Sequence, residues 1–309
     1  MVGIIKALLG AVTFPLAVLP LRMALRLGGF LAVVVAYFWR GRRNFAADNI
    51  RRAVESGGLT ISETPQVIAR QSFANLGKSF MENIRIYHGR GDKILDSIRI
   101  VGRENYEQAQ AQGKGVLVIT GHCGNWELMA IAFARWFVRN SVVARPLNNR
   151  YVNQFLEDLR RTTGNDVIYK DGAIRKILTK LRNNETVGIL MDQAVLKEES
   201  CLDSFLGRPA LTTKLPALMA RKTGAPVVPI IMHRDQDGGH TIVVYPEVAL
   251  SNVPDKDLAV QMDTKKFSSY IEDYIREYPT QWLWGHRRWK RAPEQFPEDF
   301  PCGTTAGVE

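Results

Sequence analysis

One histidine and one carboxylate, His122 and Glu127, stand five residues apart within Gly115-Val-Leu-Val-Ile-Thr-Gly-His-Cys-Gly-Asn-Trp-Glu-Leu-Met129. Histidine is the commonest general base, and a carboxylate against its second ring nitrogen fixes one tautomer and favours the imidazolium formed on proton capture. On a regular helix a five-residue step turns the chain by about 140°, so the two side chains would face apart. They can meet only if His122 stays in a turn while Glu127 lies in the first helical turn, where the helix dipole also favours a carboxylate. Gly121 and Gly124 supply the conformational freedom for that turn. A structural histidine beside a carboxylate at a helix start is the plain alternative.

Other chemistries find less support. Cys123 adjoins His122, but no Gly-x-Ser-x-Gly elbow is present, and Cys123 reads as a small buried filler rather than a nucleophile. His88, His233, His240 and His286 are scattered singly, without metal-ligand spacing. There is no Gly-x-x-x-x-Gly-Lys, and no Gly-x-Gly-x-x-Gly follows a strand, which argues against nucleotide chemistry. Neither a metal nor a cofactor is expected.

The elements around the pair follow from hydrophobic periodicity. Val116 to Thr120 is an apolar run suited to a buried strand, and a helix is expected over 126–138. Strands at 142–145, 167–168, 187–191, 227–232 and 242–245 alternate with helices through Phe155 and Leu159, over 173–181, over 213–221 and over 267–278. Pro246 places the strand at 242–245 nearer a sheet edge. Upstream, Thr64 caps a helix opened by Pro65, and Phe73, Leu76, Phe80, Ile84 and Tyr87 recur at helical steps as a core face. Such β-α alternation predicts an α/β fold with a mainly parallel sheet flanked by helices. Polar loops after the strands then share the carboxyl edge with His122. These are Arg145-Pro-Leu-Asn148-Asn149-Arg150 and Asp192-Gln193, with Phe205 to Thr213 expected as a loop whose Thr212 or Thr213 caps the next helix. Arg145, and Arg160 or Arg161, have the guanidinium geometry for phosphate.

Residues 1–39 are nearly all apolar, broken by Lys6, Arg22 and Arg26. They read as a membrane anchor, either one long helix or a spanning piece and an interfacial one; a buried core helix pair is the alternative. Arg40, Arg42 and Arg43 follow at once, placing the downstream chain on the cytoplasmic side. The resulting parse is an anchor over 1–43, one catalytic domain over 44–292 and a loosely held tail over 293–309. A net charge of +10 in 309 residues suits anionic lipid or an acidic protein partner. The basic residues flank apolar and Trp-rich segments, which disfavours nucleic acid. Three widely spaced cysteines fit a reducing compartment. Gln281-Trp-Leu-Trp-Gly-His-Arg-Arg-Trp-Lys-Arg291 suits a membrane interface or an anionic glycolipid, or equally aromatic–cationic packing against the domain.

Taken together, several blocks resemble the bacterial lipid A biosynthesis (lauroyl/myristoyl) acyltransferases. They are Thr120-Gly-His-Cys-Gly-Asn-Trp-Glu-Leu128, Arg145-Pro-Leu-Asn-Asn149, Met191-Asp-Gln193, Phe205-Leu-Gly207 with Thr212-Thr213, and Trp284-Gly-His-Arg-Arg-Trp-Lys290. Cys123 and Leu206 depart from aromatics common in that family. The resemblance implies a glycerolipid-acyltransferase-like fold and an inner-membrane enzyme that moves a fatty acyl chain from acyl-acyl carrier protein to a hydroxyl of a lipid A precursor. It implies His122 as general base and Glu127 as its orienting partner. Asn125, Arg145, Asn148, Arg160, Arg161, Asp192, Gln193 and Arg287 become candidates for substrate contact or site architecture. Relatives acting on other glycolipids leave the acceptor open.

Overall fold

The computed structural model describes residues 2–169 and 172–297, with side chains from residue 10 onward. Of the expected tail, residues 298–309 lie outside the described part. The apolar N-terminal segment forms two helices, α1 (Val2–Val18) and α2 (Leu21–Phe38), separated at Leu19-Pro20. They are followed by α3 (Arg40–Glu55), α4 (Pro65–Tyr87) and α5 (Asp92–Asp96). The α/β part runs β1 (Arg99–Val101), α6 (Arg103–Ala111), β2 (Val116–Thr120), α7 (Trp126–Trp136), β3 (Asn140–Ala144), α8 (Arg150–Arg161), β4 (Asp166–Tyr169), α9 (Ala173–Arg182) and β5 (Thr186–Leu190). It closes with β6 (Ser200–Phe205), β7 (Arg208–Thr213), α10 (Leu215–Thr223), β8 (Val227–Arg234), β9 (His240–Val244) and α11 (Lys256–Glu277).

Seven strands form one sheet in the order β1-β9-β8-β2-β5-β3-β4, with β8 and β9 antiparallel and every other neighbouring pair parallel. The expected fold class is therefore observed. β2 is central and buried throughout: Leu117 and Ile119 join the core on one face, Val116 and Val118 the core on the other. The strand at 240–244 is one place in from the edge, because the short β1 pairs on its outer side.

Two expectations are corrected here. Residues 205–213 do not form a loop, although Thr213 Oγ1 does accept the Leu215 N–H at 3.4 Å at the start of α10. β6 and β7 make an antiparallel hairpin, and its two-residue turn, Leu206-Gly207, takes φ of 48° and 73°. Positive φ at both positions gives the hand that suits twisted strands, with Leu206 filling a position that usually goes to Asn or Gly. Thr212 bonds Arg288 and Asp203 instead of capping α10, which starts at Leu215. The second correction concerns α4, where Ile84 is buried as expected but Phe80 is 51% exposed. Leu76 and Phe80 face a cavity rather than the core, while Phe73 lines that cavity and also packs against the core.

α2 lies across α4 where two glycines meet. A Cβ at Gly77 would stand 2.2 Å from the Gly28 carbonyl oxygen, and one at Gly28 would stand 2.6 Å from that of Gly77. No larger residue fits either backbone at this crossing, the packing device that lets helices approach closely. The far face of α2 presents Met23, Phe30 and Phe38 to the outside. Among the described residues, α2 alone is long and apolar enough to cross a membrane.

Candidate active site

β2 and β5 are parallel neighbours in a register that sets Thr120 beside Leu190. Two residues beyond that rung on each strand stand His122 and Asp192, so sheet register brings together groups 70 positions apart. His122 Nδ1 lies 2.8 Å from Asp192 Oδ1, while Oδ2 accepts from the His122 backbone N–H at 2.7 Å and from Trp282 Nε1 at 2.7 Å. Burial alone would raise the Asp192 pKa, but the His122 charge and this set of donors outweigh it and hold the carboxyl well below the usual range.

The turn between β2 and α7 is shaped by its glycines. Gly124 has φ of 55°, and a Cβ there would meet the Met232 carbonyl at 2.4 Å. At Gly121 a Cβ would stand 3.1 Å from Asp192 Oδ2, so the absent side chain leaves room for the carboxylate. The C-terminal segment grips the same turn through a Cys123–Trp282 bridge and a Gly124 N–H donated to the Gln281 carbonyl at 2.8 Å. Cys123 is buried, which pushes its thiol pKa up and favours the unreactive protonated form.

Glu127 does not meet His122 as the spacing suggested. Asn125 caps α7 by accepting from Leu128 N–H, and the first turn then carries Glu127 toward α8. There Arg160 binds it through two bonds, Nε to Oε2 at 2.8 Å and Nη2 to Oε1 at 2.6 Å. Asp192, expected as a substrate contact or part of the site architecture, is the residue that holds the ring nitrogen. Gln193 places its side-chain nitrogen 2.8 Å from His122 Nε2.

The remaining candidates divide. His122, Asn125, Glu127, Arg145, Arg160 and Gln193 line one cavity of about 1110 Å³. Arg145 reaches only to 3.9 Å of Glu199. Asn148, Arg161 and Arg287 are exposed and do not line it, Arg161 pairing instead with Glu157. The cavity begins beside His122 and Trp126, runs down the sheet face past Val118, Gly188 and Val142, and is walled on the outside by Leu31, Val35 and Trp39 of α2 and its junction with α3. Its lining is mostly apolar, with charged groups beside the histidine and Asn140 and Thr186 at the lower end.

Several site-forming residues escaped the sequence reading. Trp282 and Trp284 are buried against the core rather than facing a membrane, and Arg288 and Arg208 lie over Phe205 and Trp289. The aromatic–cationic packing alternative is the one observed. His286 stacks near His122 with ring centroids 6.4 Å apart, and burial with the neighbouring His122 charge pulls its pKa down to about 4. It therefore adds no positive charge beside the base near neutral pH.

Glu82 on α4 is buried among Arg234, which binds it bidentately, His240 Nε2 at 2.9 Å and Asn125 Nδ2 at 2.9 Å. Its only sequence signal was being the one acidic residue of α4. Burial would raise its pKa, but the His240 and Arg234 charges and hydrogen bonds overcome that and depress it. Glu82→Gln keeps the shape but strands the Arg234 charge, at a cost of about 3–5 kcal/mol. Thermal unfolding of the full chain should show a melting temperature lower by roughly 5–10 °C. Because the folded pKa is depressed, the carboxylate's contribution is complete above the ordinary value of about 4.3 and fades as pH falls below it. The gap between variant and wild type should therefore narrow in acid.

The profile of the family described as bacterial lipid A biosynthesis acyltransferase matches residues 3–291. The chain belongs to that family. The acyltransferase is 24% identical to the lipid A biosynthesis lauroyltransferase of Escherichia coli K12 over 284 residues, 91% of this chain and 90% of the relative. It is 24% identical to the palmitoleoyltransferase of the same strain over 89% of this chain and 87% of the relative. The phosphatidylinositol mannoside acyltransferase of Mycolicibacterium smegmatis matches at 24% over 80% of this chain and 81% of that protein. The protein is thus an O-acyltransferase of lipid A or related glycolipid biosynthesis, which takes an acyl donor and a glycolipid acceptor.

Proposed function

We propose that this acyltransferase moves a fatty acyl chain from acyl-acyl carrier protein to a hydroxyl of a lipid A precursor at the cytoplasmic face of the inner membrane. The observation that carries the reading is the His122–Asp192 pair at the mouth of a deep apolar cavity walled by α2. Nδ1 donates to the ionised Asp192, leaving Nε2 to take the proton of the acceptor hydroxyl. The hydroxyl oxygen attacks the acyl carbon as the apolar chain lies in the cavity. Amides at the start of α7 and the cationic groups near the mouth stabilise the oxyanion, and the carbon–sulfur bond breaks to give ester and thiol. Glu127 and Arg160 form a buried ion pair that shapes the wall beside the base, and Asn125 sets the helix start.

Arg42, Arg145 and Lys214 line the same mouth and suit an anionic headgroup or the acidic carrier protein. The parse into anchor (1–43), catalytic domain (44–292) and tail (293–309) is retained, with α2 as a single anchor docked on α4 and the basic stretch Arg40 to Arg43 at its cytoplasmic end. The match to mannoside acyltransferases keeps a second acceptor in view, a glycosylated phospholipid.

The test is full-length protein in lipid nanodiscs with acyl carrier protein thioesters and either a lipid A precursor or a mannosylated phosphatidylinositol. Ester formation on the lipid A precursor, lost by at least about 10³-fold in His122→Ala, is expected. Ester on the mannosylated lipid alone would move the acceptor assignment. Thiol release with neither lipid would point to a glycolipid-binding protein without this chemistry.

A further inference from the structure

Asp192 determines which nitrogen of His122 carries the proton. Its ionised carboxylate can only accept, so Nδ1 bears the hydrogen and Nε2 keeps its lone pair. That lone pair is already engaged. The Gln193 side-chain nitrogen, 2.8 Å away, is a donor aimed at the atom that must receive the acceptor's proton. Asp192 and Gln193 are consecutive residues just beyond β5, so one short segment holds both nitrogens of the same imidazole from opposite sides. Gln193 also lines the cavity, where an incoming hydroxyl must pass.

We propose that Gln193 is a removable cap on the base. In the absence of acceptor its amide occupies Nε2 and restrains hydrolysis of the acyl thioester. The inference rests on the assignment of His122 as general base. A water molecule that used the same base would bond its oxygen to the acyl carbon and give a proton to Nε2. The carbon–sulfur bond would break, and that proton would pass to the leaving sulfur, releasing carboxylic acid and thiol. To do so the water must first displace the amide from Nε2. A hydroxyl on a bound glycolipid is held in place at high effective molarity and wins the exchange, whereas free water gains only one ordinary hydrogen bond for another. The cap thus favours transfer over waste of the donor.

The experiment measures thiol release from dodecanoyl-acyl carrier protein by the full-length protein in nanodiscs, with and without a tetraacylated lipid A precursor. In Gln193→Ala the acceptor-independent rate should rise about three- to tenfold relative to transfer, the worth of one neutral hydrogen bond. Gln193→Asn, whose amide falls one methylene short, should behave alike. Gln193→Glu is nearly isosteric but puts a carboxylate against Nε2, which favours the imidazolium. The acid limb of its pH–rate profile should move up by about one unit, a change that lost packing would not produce. An unchanged ratio of hydrolysis to transfer in Gln193→Ala and Gln193→Asn, with the Gln193→Glu profile at the wild-type position, overturns the cap while leaving the base assignment standing. Equal transfer by wild type and His122→Ala overturns both.

Discussion

Asp192→Asn is expected to lower kcat for acyl transfer by about 10³–10⁴-fold, with KM for the acyl donor little changed. The magnitude is that of removing the carboxylate from a histidine–carboxylate pair in hydrolytic triads, where the wrong tautomer is selected. Here the same change has two consequences. An amide nitrogen facing Nδ1 would turn the ring's proton to Nε2, the atom that must accept. An amide oxygen facing Nδ1 would instead turn the –NH₂ toward the His122 and Trp282 N–H groups, which the carboxylate now satisfies at 2.7 Å each. The first orientation disables the base, and the second leaves two buried donors unpaired, costing about 1–3 kcal/mol each. Rate measurements must therefore be read beside a melting curve: a loss of kcat far greater than the loss of folded protein is the expected pattern. Full activity in a folded Asp192→Asn variant would refute the pair.

The contrast with Glu127 sharpens that reading. Both carboxylates lie near His122, yet only Asp192 touches the ring. Glu127 is tied to Arg160 at both oxygens, and removing either partner leaves a buried charge. Loss of activity in Glu127→Ala would thus accompany loss of stability, and Glu127→Ala combined with Arg160→Ala should be less damaged than the sum of the two single variants.

The spacing of His122 and Glu127 shows where sequence reasoning stops. The buried strand β2 was legible to the residue, because four apolar residues and Thr120 between Gly115 and Gly121 admit little else. So was the turn after it. What spacing does not contain is direction: the Asn125 cap sets the phase of α7, and that phase turns Glu127 from the histidine to Arg160. Nor does alternation reveal that β5 rather than β3 lies beside β2, since crossover connections reorder the strands. Asp192 was recognisable as a polar residue at the carboxyl edge, but its contact with His122 follows only from that strand order. The hairpin of β6 and β7 was missed for another reason. Leu206 in a positive-φ position and Pro209 within a strand are both poor strand signals, and the surrounding helix, α11, supplies the packing that overrides them.

Gly188→Leu is expected to shorten the acyl chain that the enzyme transfers. Val118, Gly188 and Val142 are register partners across β2, β5 and β3, and all three line the cavity on the same sheet face. A Cβ at Gly188 meets nothing within 4 Å, so its side chain would enter open space rather than a neighbour. One rung further from His122 lies Thr186, whose hydroxyl bonds Tyr106 at 2.7 Å. Leucine at 188 would wall off that lower rung, about 7 Å of depth by strand rise. A donor shorter by roughly four to six carbons should then become the preferred substrate, since each methylene misfit in a hydrophobic pocket costs about 1–3 kcal/mol. For the longest chain that wild type accepts, kcat/KM should fall at least about 100-fold, while Gly188→Ala should shift the preference only slightly. Leucine also suits a strand better than glycine does, so the variant should fold at least as well as wild type. Mass spectrometry of the acylated product against a ladder of donors reads the shift directly. A Gly188→Leu enzyme with the wild-type chain-length profile would mean that the acyl chain lies elsewhere, and that the sheet-side branch of the cavity has no part in selecting it.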